Sequence, residues 1–272
     1  MTDSNETTEQ PVKKYAQLLF GPSDAEKSDY IDGFIQYFGE IQRDYILLNL
    51  DPTTSIKSEY FRDDIRNDIF ETYDYSTHEN RYLEYCLNCI NEVFESQEWV
   101  DRTFNEADCP YFIINFPTSI SISINYDEIS RIMSYLHEIN FNFVCINLIP
   151  ANCINSPKDV FASFLLTTST FIEPIIHQCP ILNVICGYNL VHDNHAEFID
   201  ELAIIPIADM LNKVNEEFSI VEPLSTNIAR VFDSFDAFSK LFIFNSHDNQ
   251  NIKEFVSITD DILECVFEEG EY

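Results

Sequence analysis

Lys14-Tyr15-Ala16-Gln17-Leu18-Leu19-Phe20-Gly21-Pro22-Ser23-Asp24-Ala25-Glu26-Lys27-Ser28 is the stretch that decides the fold. Its first seven residues form a short, mostly apolar run, which reads as a strand buried on both faces and ended by Gly21-Pro22. From about Glu26 to Gly39 the pattern changes to helical spacing, with Tyr30, Ile31, Phe34 and Phe38 on one side. The alternation continues outward. Tyr45–Asn49, Tyr111–Ile114, Phe143–Ile149, Ile181–Ile185 and Leu241–Phe244 read as further short strands. Helical patterns separate them at about 59–71, 80–107, 126–139, 157–172, 198–218 and 252–267. Buried strands alternating with helices predict an α/β fold of three layers, a mainly parallel sheet flanked by helices. Residues 1–11 lack a periodic apolar pattern and read as a disordered acidic tail, which leaves 12–272 as one domain.

Composition narrows the function. Against 47 Asp and Glu the chain of 272 residues sets 15 Lys and Arg, a formal charge of −32. Beyond Ile132 the only basic residues are Lys158, Lys213, Arg230, Lys240 and Lys253. A surface so acidic repels phosphate backbones and anionic bilayers, which excludes direct nucleic-acid or membrane-surface binding. No apolar run approaches the roughly 18 residues of a membrane span, and MTDSNETTEQ is too polar for a signal peptide. Eight scattered cysteines, several inside apolar runs, read as reduced and buried in a cytoplasmic protein. Cys86-Leu87-Asn88-Cys89 lacks the second pair that a zinc site needs, and His192-Asp193-Asn194-His195 reads as a loop capping the next helix. The acidic C-terminal residues Asp260, Asp261, Glu264, Glu268, Glu269 and Glu271 read as a solvated helix face.

In a parallel sheet ligands bind beyond the carboxyl ends of the strands, so the first strand-to-helix turn is the place to look. Set against the phosphate-binding pattern G-x-x-x-x-G-K-[ST], Gly21, Lys27 and Ser28 fall on register, and Glu26 takes the place of the second glycine. An ordinary Gly-Pro turn before a helix capped by Asp24 explains the loop alone equally well.

Wider spacing separates the two readings. Tyr15-Ala16-Gln17-Leu18-Leu19-Phe20-Gly21-Pro22 and Asn49-Leu50-Asp51-Pro52 resemble the opening of the GPN-loop GTPases, whose first strand leads into a phosphate loop and whose second ends in N-L-D-P. Asp64-Ile65-Arg66 is placed like that family's D-I-R helix, and His78-Glu79-Asn80 lies where its members carry G-P-N. Trp99 follows at the expected distance. Tyr111–Ser121 sits where the family has a strand and D-C-P-G-Q-x-E, and Phe161–Phe171 resembles its F-x-S-x-L helix. Gly270, near the end, resembles the third eukaryotic branch of the family.

The resemblance implies a P-loop NTPase fold with GTP and Mg²⁺ as cofactors. It places Gly21, Asp24, Ala25, Glu26, Lys27, Ser28, Asp29, Asn80, Cys186, Gly187 and Asn189 at nucleotide-contact positions. Ser28 and Asp51 fall at the metal, and Asp51 and Asn115 at the catalytic positions. It further implies assembly and nuclear import of RNA polymerase II, performed as a heterodimer with another GPN-loop paralogue, in the cytoplasm with shuttling to the nucleus.

Departures from the pattern fall on the chemistry. Asp24 and Glu26 replace two glycines and add negative charge where phosphates would sit. At about 4 Å and an effective dielectric of about 20, each such repulsion is roughly 4 kcal/mol, which corresponds to about three decades of affinity. Lys27 is then expected to pair locally with Asp24 or Glu26. Asn115 lacks the carboxylate expected at metal and water, and Thr118 lacks the backbone freedom of glycine. Cys186-Gly187-Tyr188-Asn189 stands where guanine is read by [ST]-K-x-D, and the amide of Asn189 offers a donor where two acceptors are needed. Three readings follow: a scaffold or assembly factor that has lost nucleotide chemistry, a working GTPase completed by its partner, and a binder of another small ligand reusing the cleft.

Overall fold

In the computed structural model, residues 13–21, 24–68, 82–117, 126–155, 159, 162, 179–188, 193–204 and 241–265 are described. The chain runs β1 (Lys14–Phe20), α1 (Asp24–Glu40), β2 (Ile46–Asn49), β3 (Asp63–Asp64), α2 (Ile65–Asp68), α3 (Tyr82–Glu95), α4 (Gln97–Val100), β4 (Tyr111–Asn115), α5 (Tyr126–Glu138), β5 (Phe141–Pro150), β6 (Ile181–Cys186), α6 (Asp193–Ile204), β7 (Leu241–Ile243) and α7 (Asn249–Leu263). The strands form one seven-stranded sheet in the order β3-β2-β4-β1-β5-β6-β7. Every pairing is parallel. This is the three-layer architecture that the alternation of short apolar runs predicts.

β1 holds the centre because Ala16, Leu18, Leu19 and Phe20 are buried. Gln17, the polar residue in that run, is buried as well, and it is paired rather than left alone. Its Nε2 donates to Tyr111 Oη at 2.6 Å, and its Oε1 accepts from Tyr30 Oη at 2.6 Å. Such pairing is the condition under which a buried amide is tolerated. Tyr30, Ile31, Phe34 and Phe38 all lie buried along the inner face of α1, as their spacing predicts. Tyr30 and Phe34 stack on each other with centroids 4.6 Å apart, and Phe255 of α7 meets both rings edge-on.

Three expectations are corrected. The helical pattern over 59–71 breaks into a 3₁₀ turn (Ser58–Tyr60), the edge strand β3 and the short α2. The break lies where Asp63 and Asp64 pair with Leu48 and Asn49 of β2. The pattern over 80–107 is interrupted at Ser96, whose side chain caps α4 by accepting from the Trp99 amide at 3.3 Å. Asp260, read as part of a solvated face, instead receives both terminal nitrogens of Arg43 at 2.6 and 2.8 Å. The guanidinium is stacked over Tyr111 and Phe38, so the pair joins α7 to the turn after α1. Among the cysteines Cys153 is exposed and the other seven are buried. The acidic tail over 1–11 lies outside the described residues, as does the helix over 157–172 apart from Asp159 and Ala162. Among the described residues, no helix is long and apolar enough to cross a membrane.

Candidate functional site

From β1 the chain leaves toward β2 on one side, and from β5 it leaves toward β6 on the other, so the strand order reverses between these adjacent parallel strands. A crevice at the carboxyl end of such a reversal is where open α/β sheets take ligands. Gly21 opens the loop at this point, and a Cβ there would meet Leu148 Cβ of β5 at 3.1 Å. Only glycine lets the backbone turn this closely against β5 without pushing it aside.

Across the carboxyl ends runs a single register row. Leu19 of β1 pairs with Asn115 of β4, Asn115 with Asn49 of β2, and Asn49 with Asp64 of β3. A hydrogen-bonded chain of polar side chains follows that row. Asn115 Nδ2 donates to Asn49 Oδ1 at 2.8 Å, and Asn49 Nδ2 donates to Asp64 Oδ1 at 2.8 Å. Asn49 also binds both ends of the turn that follows it, accepting from Asp51 N at 3.0 Å and donating to Asp51 O at 2.9 Å. Asn49, Asp64 and Asn115 are buried, and Asn115 Oδ1 finds no partner.

Asp64 anchors the far end. Its carboxylate takes Arg66 Nε at 3.0 Å and Nη2 at 2.6 Å, and Ser58 Oγ at 2.6 Å. Burial pushes this carboxyl up, but the donors from Arg66, Ser58 and Asn49 outweigh burial and hold it below the ordinary aspartate value. The same guanidinium donates to the carbonyls of Thr54 and Ile56 at 2.9 Å, which pins the loop that carries Asp51. Asp51 is itself buried, and its Oδ1 accepts from Thr53 N at 2.9 Å and Thr53 Oγ1 at 2.7 Å.

Lys27 points inward from the first turn of α1 and is fully buried. Its ammonium donates to the carbonyl of Phe116, just past β4. The Phe116 ring stacks on Phe20 at 4.6 Å, and its amide donates to Leu19 O at 3.1 Å, which closes β4 onto β1. Ser28 and Asp29 follow on the same helix and are partly buried.

The other side of the crevice is formed by β6 and β7. Cys186 ends β6 in full burial, and Gly187 follows with φ 72°, a left-handed conformation suited to glycine. Burial drives the Cys186 thiol well above its ordinary pKa, and the negative charges of Asp29 and Glu26 add to the rise. The strand end matched to the base-reading motif thus lies within electrostatic reach of the phosphate-loop helix. Beyond β7, Ser246 Oγ donates to Asp29 Oδ1.

The structure therefore gathers Gly21, Glu26, Lys27, Asp29, Asp51, Asn115, Cys186 and Gly187 at one end of the sheet. Asn80, Asn189, Thr118 and the His78-Glu79 pair lie outside the described residues, and Asp24 and Ala25 are placed there by their backbone in α1. Asn49, Ser58, Asp64, Arg66 and Ser246 belong to the same end and carry no role in the sequence reading. N-L-D-P and D-I-R marked Asn49, Asp64 and Arg66 as motif members without showing that they bond to one another. Nothing local marks Ser246, which is 217 residues from Asp29. Among the described residues no group of three or more His, Cys, Asp or Glu is arranged to hold a metal ion.

Comparison with known proteins gives this arrangement its place. A family model described as "Conserved hypothetical ATP binding protein" matches residues 19–265. GPN-loop GTPase 3 of Eremothecium gossypii is 24% identical over 264 residues, covering 93% of both chains. GPN-loop GTPase 3 of Dictyostelium discoideum is 22% identical over 211 residues, 75% of this chain and 71% of its own. GPN-loop GTPase 2 homolog of the same organism is 19% identical over 258 residues, 90% and 78% of the two chains. A GTPase of Pyrococcus abyssi, solved in its apo form, shares the fold with a TM-score of 0.73 at 11% identity, over 93% of this chain and 98% of that one. With the family model spanning the sheet from the end of β1 to the end of α7, the chain belongs to the GPN-loop GTPase family.

Proposed function

We propose that this chain is a GPN-loop protein in which the nucleotide chemistry has been lost and the scaffold has been kept for protein pairing. The observation that carries the reading is the side chain of Asn115. Its position at the carboxyl end of β4 is where the resemblance places a carboxylate, and here its NH₂ group is used as a donor to Asn49 Oδ1. A carboxylate has no such donor, so the row Asn115–Asn49–Asp64 is built around a neutral amide. Asp24 and Glu26 add two acidic residues to the loop and the first turn of α1. Together these residues do not fit a Mg²⁺–GTP complex, whose phosphates want glycine backbone and positive charge.

By its resemblance to GPN-loop GTPases the chain acts in RNA polymerase II assembly and nuclear import, as a heterodimer with an intact GPN-loop paralogue. A pairing surface of about 1,600 Å² suffices for a stable complex without nucleotide. Co-purification from cells is expected to recover such a paralogue. Lys27→Met, which removes the charge but keeps the volume of a buried side chain, is expected to leave recovery unchanged. A strictly monomeric chain contradicts the pairing role. Loss of the partner on Lys27→Met instead supports the second reading, a partner-assisted working GTPase, which the retained, buried Lys27 and Asp51 favour.

A further inference from the structure

We propose that Asp29 closes the corner between β6 and β7 by clasping Ser246, and so excludes a nucleobase from this end of the sheet. The proposal rests on the reading above, that the nucleotide site has been rebuilt, and names the residue that shuts its base-side half.

Asp29 lies in the second turn of α1, directly after the Lys27-Ser28 pair. One carboxylate oxygen accepts the hydroxyl of Ser246, and the other is buried without a partner. An unpaired buried carboxylate oxygen is expensive, so a packing constraint must hold it. Gly33, one turn further along the same helix face, supplies that constraint. A Cβ at Gly33 would meet Phe244 Cζ at 3.1 Å and Ser246 Cα and Cβ at 3.3 Å, so α1 is pressed against the loop after β7.

That loop does not swing freely to meet Asp29. Asn251 Oδ1 accepts from Asn245 N at 2.9 Å, and Asn251 Nδ2 donates to Ile243 O at 2.9 Å. Asp248 caps α7 through Gln250 N at 3.0 Å and Asn251 N at 3.3 Å. Ser246 is therefore presented by a braced turn, and its hydroxyl is already committed. A base entering at the ends of β6 and β7 would have to break the clasp and leave the half-buried Asp29 carboxylate without the one donor it has. The field of that carboxylate reaches the end of β6, where it helps raise the Cys186 thiol.

Two readouts test the clasp and its consequence separately. In the full-length chain, Asp29→Ala and Ser246→Ala are each expected to speed hydrogen exchange of the amides of 245–248 by about ten-fold, the loss of one buried hydrogen bond. Unchanged exchange in both variants overturns the clasp. Binding is then measured with the Asp24→Gly/Glu26→Gly chain as background. There Asp29→Ala is expected to tighten GTP or ATP by about ten-fold or more while inorganic tripolyphosphate changes by less than about three-fold. Equal gains for nucleotide and tripolyphosphate overturn base exclusion, because the carboxylate then acts on phosphates alone. If the glycine background binds neither ligand, the phosphate-loop register assumed under the proposed function fails, and hydrogen exchange alone decides the clasp.

Discussion

The two sides of the crevice hold charge by opposite means. On the β4–β2–β3 side, Asn115, Asn49, Asp64 and Arg66 form a continuous chain in which one charge is neutralised by a bidentate partner and the rest is amide. On the α1–β6–β7 side, Glu26 and Asp29 bring negative charge toward Cys186, and Asp29 has one oxygen with no partner at all. The first side reads as a polar network brought to rest around a neutral residue. The second reads as a place where a ligand of the opposite sign, or none, is accommodated. A nucleotide needs both sides, its metal on one and its phosphates and base on the other. Under the proposed reading, altering either side suffices to weaken binding.

The largest expected effect falls on the first side. Asp64→Ala leaves Arg66 without its partner beside a buried row, and is expected to cost about 3–5 kcal/mol in denaturant unfolding. The same pair gives a pH signature. Since the folded-state pKa of Asp64 is lowered, its contribution is fully present above the unfolded value of about 3.9 and is lost as pH falls through the lowered value. Asp64→Asn is expected to flatten the stability profile below about pH 4. A profile unchanged by the substitution contradicts the assignment of Asp64 as the charged anchor.

Next in size is Asn115→Asp, which places on β4 the carboxylate that the resemblance implies. It sets two acceptors against each other where Asn115 Nδ2 now meets Asn49 Oδ1 at 2.8 Å. The expected loss is about 1–3 kcal/mol, read as a lower denaturant midpoint. Unaltered stability shows that the Asn49 amide turns over freely, and the row is then no barrier to a metal-binding carboxylate.

On the second side, Asp24→Gly with Glu26→Gly is expected to recover phosphate binding by at least about ten-fold, or about 1.4 kcal/mol, because Lys27 and Ser28 remain in register. Guanine selectivity is expected to stay poor until Gly187→Lys and Asn189→Asp are added. A double glycine chain that gains nothing for any nucleoside triphosphate shows that the loop has moved out of this register.

How much of this was legible depended on whether an interaction is local. The strands were readable because Leu18-Leu19-Phe20, Phe143-Val144-Cys145-Ile146 and Ile181–Ile185 carry their burial in their own composition. The α1 stripe was readable because Tyr30, Ile31, Phe34 and Phe38 repeat with the helical period. Position 63–64 was missed as a strand because two charged residues at a sheet edge have no β signal of their own. They pair with β2 because the neighbouring chain is there. At the site, the replacement of a carboxylate by Asn115 was visible at once, but it read simply as something taken away. The amide's donor role depends on Asn49, 66 residues earlier, and no spacing rule links them. Lys27, expected to turn toward the nearby acids, also reaches the carbonyl of Phe116 in full burial, a contact 89 residues away that no local pattern announces. Asp260 likewise looked solvated until Arg43, 217 residues away, was placed beside it.

The most direct measurement is a calorimetric titration of GTP into the purified full-length chain, with and without Mg²⁺. The acidic loop and the amide at Asn115 predict no binding tighter than about 0.1 mM, or roughly −5.5 kcal/mol, and no gain from Mg²⁺. Micromolar binding that strengthens with Mg²⁺ would contradict the loss of nucleotide chemistry and return the chain to the working GTPases of its family.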